Sequence, residues 1–261
     1  MNDFLFFRFR ALQLRGTHIF AGLGVLGLFL AWYQASCAFS GLVVPAPGET
    51  LAAAARLLSD TGFWAGHLLV SLRRMGLALG AGILAGGVLG LVAGLVPQVR
   101  ALVEPVRWIL TTVPGVVIVI VFMLWFGMGD VMVISIAASM GAPIIFVNLA
   151  DALGRVDRHL LEMARIYRFS LKMRLVKIYA MAVAGPFFSA LVIAGGNIVR
   201  VSVLAEVMGA DKGIGHCMAL ARSRLDTPEV YALALISMCV AAAVEFFIFR
   251  PLERRMKGRC P

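Results

Sequence analysis

Six stretches of this chain carry almost no charge: 19–39, 75–99, 108–129, 131–150, 178–199 (continuing to about 205) and 230–249, the last broken only by Glu245. A helix crosses a hydrocarbon core about 30 Å thick with about 20 apolar residues. Each run is long enough to do so. Transmembrane strands would need an apolar face alternating with a polar one over about ten residues, and these runs are apolar in both phases. The pattern therefore predicts an all-α polytopic membrane protein with six transmembrane helices. Composition agrees: 61% of the 261 residues are hydrophobic and 15% are charged, against about 25% charged in an average soluble domain. A soluble enzyme, a disordered chain and a disulfide-stapled module are excluded, and no length remains for a large soluble domain.

The formal net charge of +10 follows the membrane rather than nucleic acid, because the aromatic residues lie inside the apolar runs and not among the basic ones. Arg8, Arg10 and Arg15 precede the first run, and most remaining basic residues fall at 100–107, 155–177 and 250–259. Basic residues concentrate on the cytoplasmic side, so the expected orientation is N-in and C-in. Residues 1–18 form a cytoplasmic N-terminal segment, 19–39 the first transmembrane helix and 40–66 a periplasmic segment. Residues 67–250 form a core of five transmembrane helices with a cytoplasmic loop at 151–177, and 251–261 are a cytoplasmic tail. A cleaved signal peptide is the rival reading of the first run, weakened by its length and by the poor cleavage site Ser36-Cys37-Ala38. Arg73 and Arg74 sit awkwardly at the outer start of the second run and are expected to snorkel to the interface.

Several patterns that look chemical are better read as structural. Gly22-x-Gly24-x-x-Gly27 matches a dinucleotide fingerprint, but it lies inside an apolar run and not between a strand and a helix. There is no GxxxxGK[ST], no catalytic constellation, no clustered metal-ligand set and no CxxC. A disulfide between Cys37 and Cys217 stands open. Gly82, Gly86, Gly90 and Gly94 recur every four residues and mark one face for close helix packing, with a ligand path along that groove as the rival. A short surface helix is expected over 49–58. In the 151–177 loop, Arg158, Arg165, Arg168 and Lys172 recur at helical spacings, and Leu160, Met163, Ala164, Tyr167 and Leu171 share another face. That is an amphipathic helix. The residues alone leave open whether it docks on a protein or lies on anionic lipid.

Glu162-Met163-Ala164-Arg165-Ile166-Tyr167 resembles the start of the EAA motif of binding-protein-dependent ABC importer permeases. Thr112-Val113-Pro114, with Leu124-Trp125-Phe126-Gly127-Met128-Gly129, resembles the third-span signature of the nitrate/sulfonate/taurine permease subfamily. Ala205-Glu206, with Gly213-Ile214-Gly215, resembles that subfamily's loop after the fifth span. The resemblance covers about residues 40 to 250. It implies a type I importer permease of the bacterial inner membrane that pairs with a second permease, as homodimer or heterodimer. It also implies a cytoplasmic ABC ATPase dimer and a periplasmic solute-binding protein as partners. ATP and Mg then reside on the ATPase, and this chain binds no cofactor or metal and has no catalytic residue. The coupling residues become Glu162, Met163, Ala164, Arg165, Tyr167 and Arg168. Two departures stand out: the family has glycine where this chain has Arg168, and a proline near 178–181 where this chain has none.

The solute is then a small anion resembling a sulfonate, taurine or nitrate. Asn197 and Arg200, three residues apart late in the fifth run, are candidates for its path, since a guanidinium is a planar fork suited to such groups. Snorkelling of Arg200, or pairing with Glu206, is the rival. An ion-gradient transporter would need acidic residues deep in spans, and an intramembrane enzyme would need several ionisable groups at one depth. Neither pattern is evident.

Overall fold

The computed structural model describes residues 22–249. All regular structure among the described residues is helical. The elements are α1 Gly22–Ala38, α2 Pro47–Ser59, α3 Thr61–Leu95, α4 Pro97–Thr112, α5 Gly115–Phe126, α6 Asp130–Gly154, α7 Arg158–Ile166, α8 Leu171–Gly209, α9 Ile214–Ser223 and α10 Thr227–Phe247. α3, α6, α8 and α10 are long and apolar enough to cross a membrane, and α4 with α5 raise the number to five if the bent pair is one span. α1 is shorter, and the residues before it lie outside those described.

The run 108–129 is not the single straight span the sequence suggested. α4 and α5 meet at 109°. Pro114 has no N–H to continue the ladder, and its ring drives the preceding residue out of the helical region. Val113 accordingly has ψ 132. The helix that begins the second run also starts earlier than expected, at Thr61, where Asp60 caps it by accepting from the Gly62 N–H at 2.8 Å.

α3, α6 and α8 form the centre. Met75, Ala78, Met132, Ile136, Ile198 and Ala205 fill one end of it, and Ile145, Leu149, Leu191 and Ala194 fill the other. α3 and α6 approach through the glycine stripe. A Cβ at Gly86 would overlap the Ala142 carbonyl, one at Gly90 would lie 2.8 Å from the Phe146 carbonyl oxygen, and one at Gly94 would lie 2.7 Å from Leu153 Cβ. At Gly82 the same construction gives an ordinary 3.5 Å contact with the Ala138 oxygen. Lipid supplies no hydrophobic drive between helices, so close backbone packing of this kind is what holds them.

Arg74 corrects the snorkelling expectation. Its side chain is 1% exposed. Nη1 donates to Glu206 Oε1 at 3.0 Å and to the Lys212 carbonyl at 2.6 Å, while Nε donates to Asp130 Oδ1 at 2.8 Å. Glu206, itself fully buried, also accepts from Ser71 Oγ at 2.8 Å and from the Gly215 N–H at 3.0 Å. Ser71 in turn accepts from the Ile214 N–H at 2.9 Å. Arg73 remains exposed and pairs with Asp130. The Gly213-Ile214-Gly215 sequence is thereby explained: Gly213 has φ +113, and a Cβ at Gly213 or Gly215 would collide with Glu206. The segment is shaped to wrap a buried carboxylate.

Two outcomes are expected from purified protein in detergent. Gly86→Leu lowers unfolding stability by about 1–3 kcal/mol through overpacking. Gly87→Leu changes it far less, since a Cβ there meets nothing within 4 Å; equal effects would show that the α3–α6 contact is not limiting. Arg74→Met costs about 3–5 kcal/mol by stranding Glu206, and Arg74→Met with Glu206→Leu recovers most of that loss. A double variant as unstable as the single one would mean that Arg74 acts through packing alone.

Candidate coupling helix and intramembrane arginine

α7 is short but firmly bounded. Asp157 caps its start by accepting from the His159 N–H at 2.9 Å. At its end the Phe169 N–H donates to the Ala164 carbonyl at 2.8 Å and the Arg168 N–H to the Arg165 carbonyl at 3.0 Å. That paired pattern requires a left-handed residue just past the helix, usually glycine. Arg168 occupies it with φ 49. The chain therefore makes the glycine-type turn without the glycine, at a cost of about 1–2 kcal/mol. Ser170 then caps the start of α8 by accepting from the Met173 N–H at 3.3 Å.

The two sides of α7 differ sharply. Ala164 is 1% exposed and faces the protein. Met163, Ile166 and Tyr167 are exposed at 41%, 79% and 71%. Glu162 is also exposed, with His159 4.0 Å away, and so are Arg165 and Arg168. An apolar patch edged by a carboxylate and arginines is what a docking helix presents to a protein partner. Ile166, absent from both the expected coupling residues and the expected apolar face, is the most exposed of the large apolar side chains on α7.

Asn197 and Arg200 do not share one surface. Asn197 Nδ2 donates to the Met140 carbonyl of α6 at 3.2 Å. Arg200 is exposed, its Nε donating to the Gly196 carbonyl of its own helix at 3.1 Å. It lines a groove of about 520 Å³ between α8 and α10, with Val203, Ser237, Met238 and Glu245. The helix rise puts Arg200 about 14 Å from the Gly209 end of α8, and Ser237 about 15 Å from the Thr227 end of α10. Both stand within their helices, two to three turns from an end. Pairing of Arg200 with Glu206 does not occur, because Arg74 holds that carboxylate.

The described cysteines Cys37, Cys217 and Cys239 are free, so the Cys37–Cys217 disulfide is not formed. Burial pushes the Cys217 thiol up to about 11, which leaves it a poor nucleophile at neutral pH. Among the described residues no group of three or more His, Cys, Asp or Glu side chains is placed to hold a metal ion.

Known proteins place this architecture. Residues 82–258 match the family described as binding-protein-dependent transport system inner membrane component. The putative aliphatic sulfonates transport permease protein SsuC of Bacillus subtilis is 29% identical over 83% of this chain and 78% of its own. The taurine transport system permease protein TauC of Escherichia coli is 27% identical over 90% and 87%. Among solved structures, an inward-facing MetNI methionine ABC transporter chain aligns with a TM-score of 0.59 and 17% identity, covering 77% of this chain and 98% of that one. That last likeness concerns the fold. The described helices and the matched family make this a multi-pass inner-membrane protein and not an enzyme: the chain belongs to the binding-protein-dependent transport system inner membrane component family, as a permease subunit of an ABC importer.

Proposed function

We propose that the chain carries a small organic sulfonate across the inner membrane, received from a periplasmic binding protein and driven by ATP hydrolysed on a partner. ATP and Mg belong to that partner, an ABC ATPase dimer. A second permease, identical or different, completes the pore. The observation that carries the reading is the exposed Met163/Ile166/Tyr167 face on a helix whose other side is anchored by Ala164, within a chain whose relatives are named for aliphatic sulfonates and taurine. In this reading α7 faces the cytoplasm, which sets N-in and C-in; Glu162, Met163, Arg165 and Tyr167 contact the ATPase, while buried Ala164 anchors the helix and Arg168 shapes its end.

Arg200 supports the choice of an anion. A permanently charged guanidinium exposed on an apolar spanning helix cannot face lipid without large cost. The groove that it lines must therefore be covered by the second permease or open to the solute path. A guanidinium binds sulfonate oxygens through paired hydrogen bonds, and Ser237 supplies a hydroxyl at the same depth. Asn197 serves the path indirectly, by fixing α8 to α6.

Two tests follow, both in reconstituted vesicles with binding protein and ATPase. Glu162→Arg and Ile166→Asp each reduce uptake by about thirtyfold, the size of an interface hot spot, while the permease still inserts and pairs. Arg168→Gly keeps uptake and raises stability by about 1 kcal/mol. Full uptake and ATPase stimulation in both docking variants would remove α7 from the interface. Separately, Arg200→Gln depresses sulfonate uptake with ATPase docking intact, and Arg200→Lys restores part of it. Normal uptake by Arg200→Gln would leave Arg200 as an interface residue.

A further inference from the structure

On the opposite side of the bundle from Arg200, α3, α6 and α8 leave a second groove of about 570 Å³. Its wall on α3 runs from Ile83 to Leu95, and Leu153, Leu175 and Tyr179 close the end nearest α7. Twelve residues of helix rise about 18 Å, close to half of a hydrocarbon core about 30 Å thick. The groove is thus one leaflet long, on α7's side of the membrane. An extended hydrocarbon chain of that length can lie along the groove. Its lining is almost wholly aliphatic and aromatic, and Tyr179 stands where amphipathic rings collect at membrane interfaces.

Gly87 opens this groove. It lies next to Gly86, whose face is filled by α6, yet a Cβ at Gly87 meets nothing within 4 Å. Adjacent glycines on α3 therefore serve different neighbours, one a helix and the other the groove.

The mouth is basic. Arg155 stands two positions from Leu153, and Arg174 and Lys177 flank Leu175 at one and two positions. The nearby carboxylate, Asp151, is engaged by Arg100 at 2.6 Å. Arg174 Nε is buried with no hydrogen-bond partner among the described residues. A basic cluster at the end of a leaflet-long apolar slot attracts anionic lipid headgroups.

We propose that this groove binds an acyl chain of an anionic phospholipid from the leaflet on α7's side, with the headgroup held by Arg155, Arg174 and Lys177. That this leaflet is the cytoplasmic one rests on the orientation proposed above; the match of groove length to one leaflet does not. The site tethers lipid beside Leu175–Tyr179, where α8 opens into a wide π turn directly after the coupling loop.

Native mass spectrometry of the permease purified in mild detergent, titrated with phosphatidylglycerol or phosphatidylcholine, tests the proposal without any transport step. Failure here therefore leaves the transport reading intact, and the converse also holds. The unaltered protein retains phosphatidylglycerol over phosphatidylcholine by about tenfold, of the order expected for a few basic residues near a headgroup. Arg174→Gln with Lys177→Gln abolishes that preference and keeps basal lipid. Gly87→Phe, or Leu84→Trp at a position that is 69% exposed, removes both lipids while the unfolding midpoint is unchanged. Equal retention in the blocked variants would overturn the site, as would an unaltered protein without headgroup preference. Disulfide cross-linking of Leu84→Cys to a second permease copy would also overturn it, since the groove would then be a subunit interface.

Discussion

A guanidinium that stays protonated at any working pH must be surrounded by acceptors once it is buried. At Arg74 that demand organises one end of the molecule. Its hydrogen bonds reach Asp130 at the first turn of α6, Glu206 in the last turn of α8 and the Lys212 carbonyl in the connection to α9. Glu206 extends the same constraint to Ser71 and Gly215. Three spanning helices and one connection thus meet at a single charge. Removing Arg74 leaves the buried Glu206 without its charged partner, so the end of the bundle is fixed as a unit. The glycine stripe then lets α3 and α6 run together from that point, with backbone contacts at Gly86 and Gly90.

Much of this was legible in the residues. Four of the six uncharged runs located the spanning helices α3, α6, α8 and α10, and the four-residue period of Gly82, Gly86, Gly90 and Gly94 picked out a single face of α3. The helical spacing of 158–172 located α7, but the helix stops at Ile166, Leu171 and Lys172 belong to α8, and Ala164 is buried while Met163 and Tyr167 are exposed. The misses have a common origin. Hydropathy treats an arginine as a residue to be kept out of the membrane interior, so Arg74 was assigned to the interface. Its partners at 130 and 206 are distant in sequence, and nothing local announces the pairing. Pro114 is visible in the sequence, but a proline within an apolar run is compatible with a kinked span as well as a 109° break. Only the packing of α4 and α5 against different neighbours decides between them.

Arg168 shows the reverse case, where sequence departs and geometry persists. The missing glycine suggested an altered loop after Ala164. The backbone nevertheless adopts φ 49 at that position and closes both hydrogen bonds of the glycine-type ending. The turn is therefore imposed by its surroundings: Ala164 is buried on one side, and Ser170 starts the next helix immediately after. A residue can be held in a costly conformation when its neighbours over-determine it.

The same rigidity bears on how a displacement of α7 would spread through the bundle. α7 joins the end of α6 to the start of α8 through capped turns, and neither turn contains a long flexible segment. α6 and α8 pack along much of their length, with Asn197 bonded across to Met140. A displacement of α7 is therefore carried by the two helices together, because a close-packed core resists independent sliding. The far ends of both helices are tied to Arg74. Arg200 lies on α8 between that tie and α7, on the surface that lines the groove toward α10. Close contacts at Gly86 and Gly90 hold α6 against α3, so α6 is braced by α3 on one side and by α8 on the other.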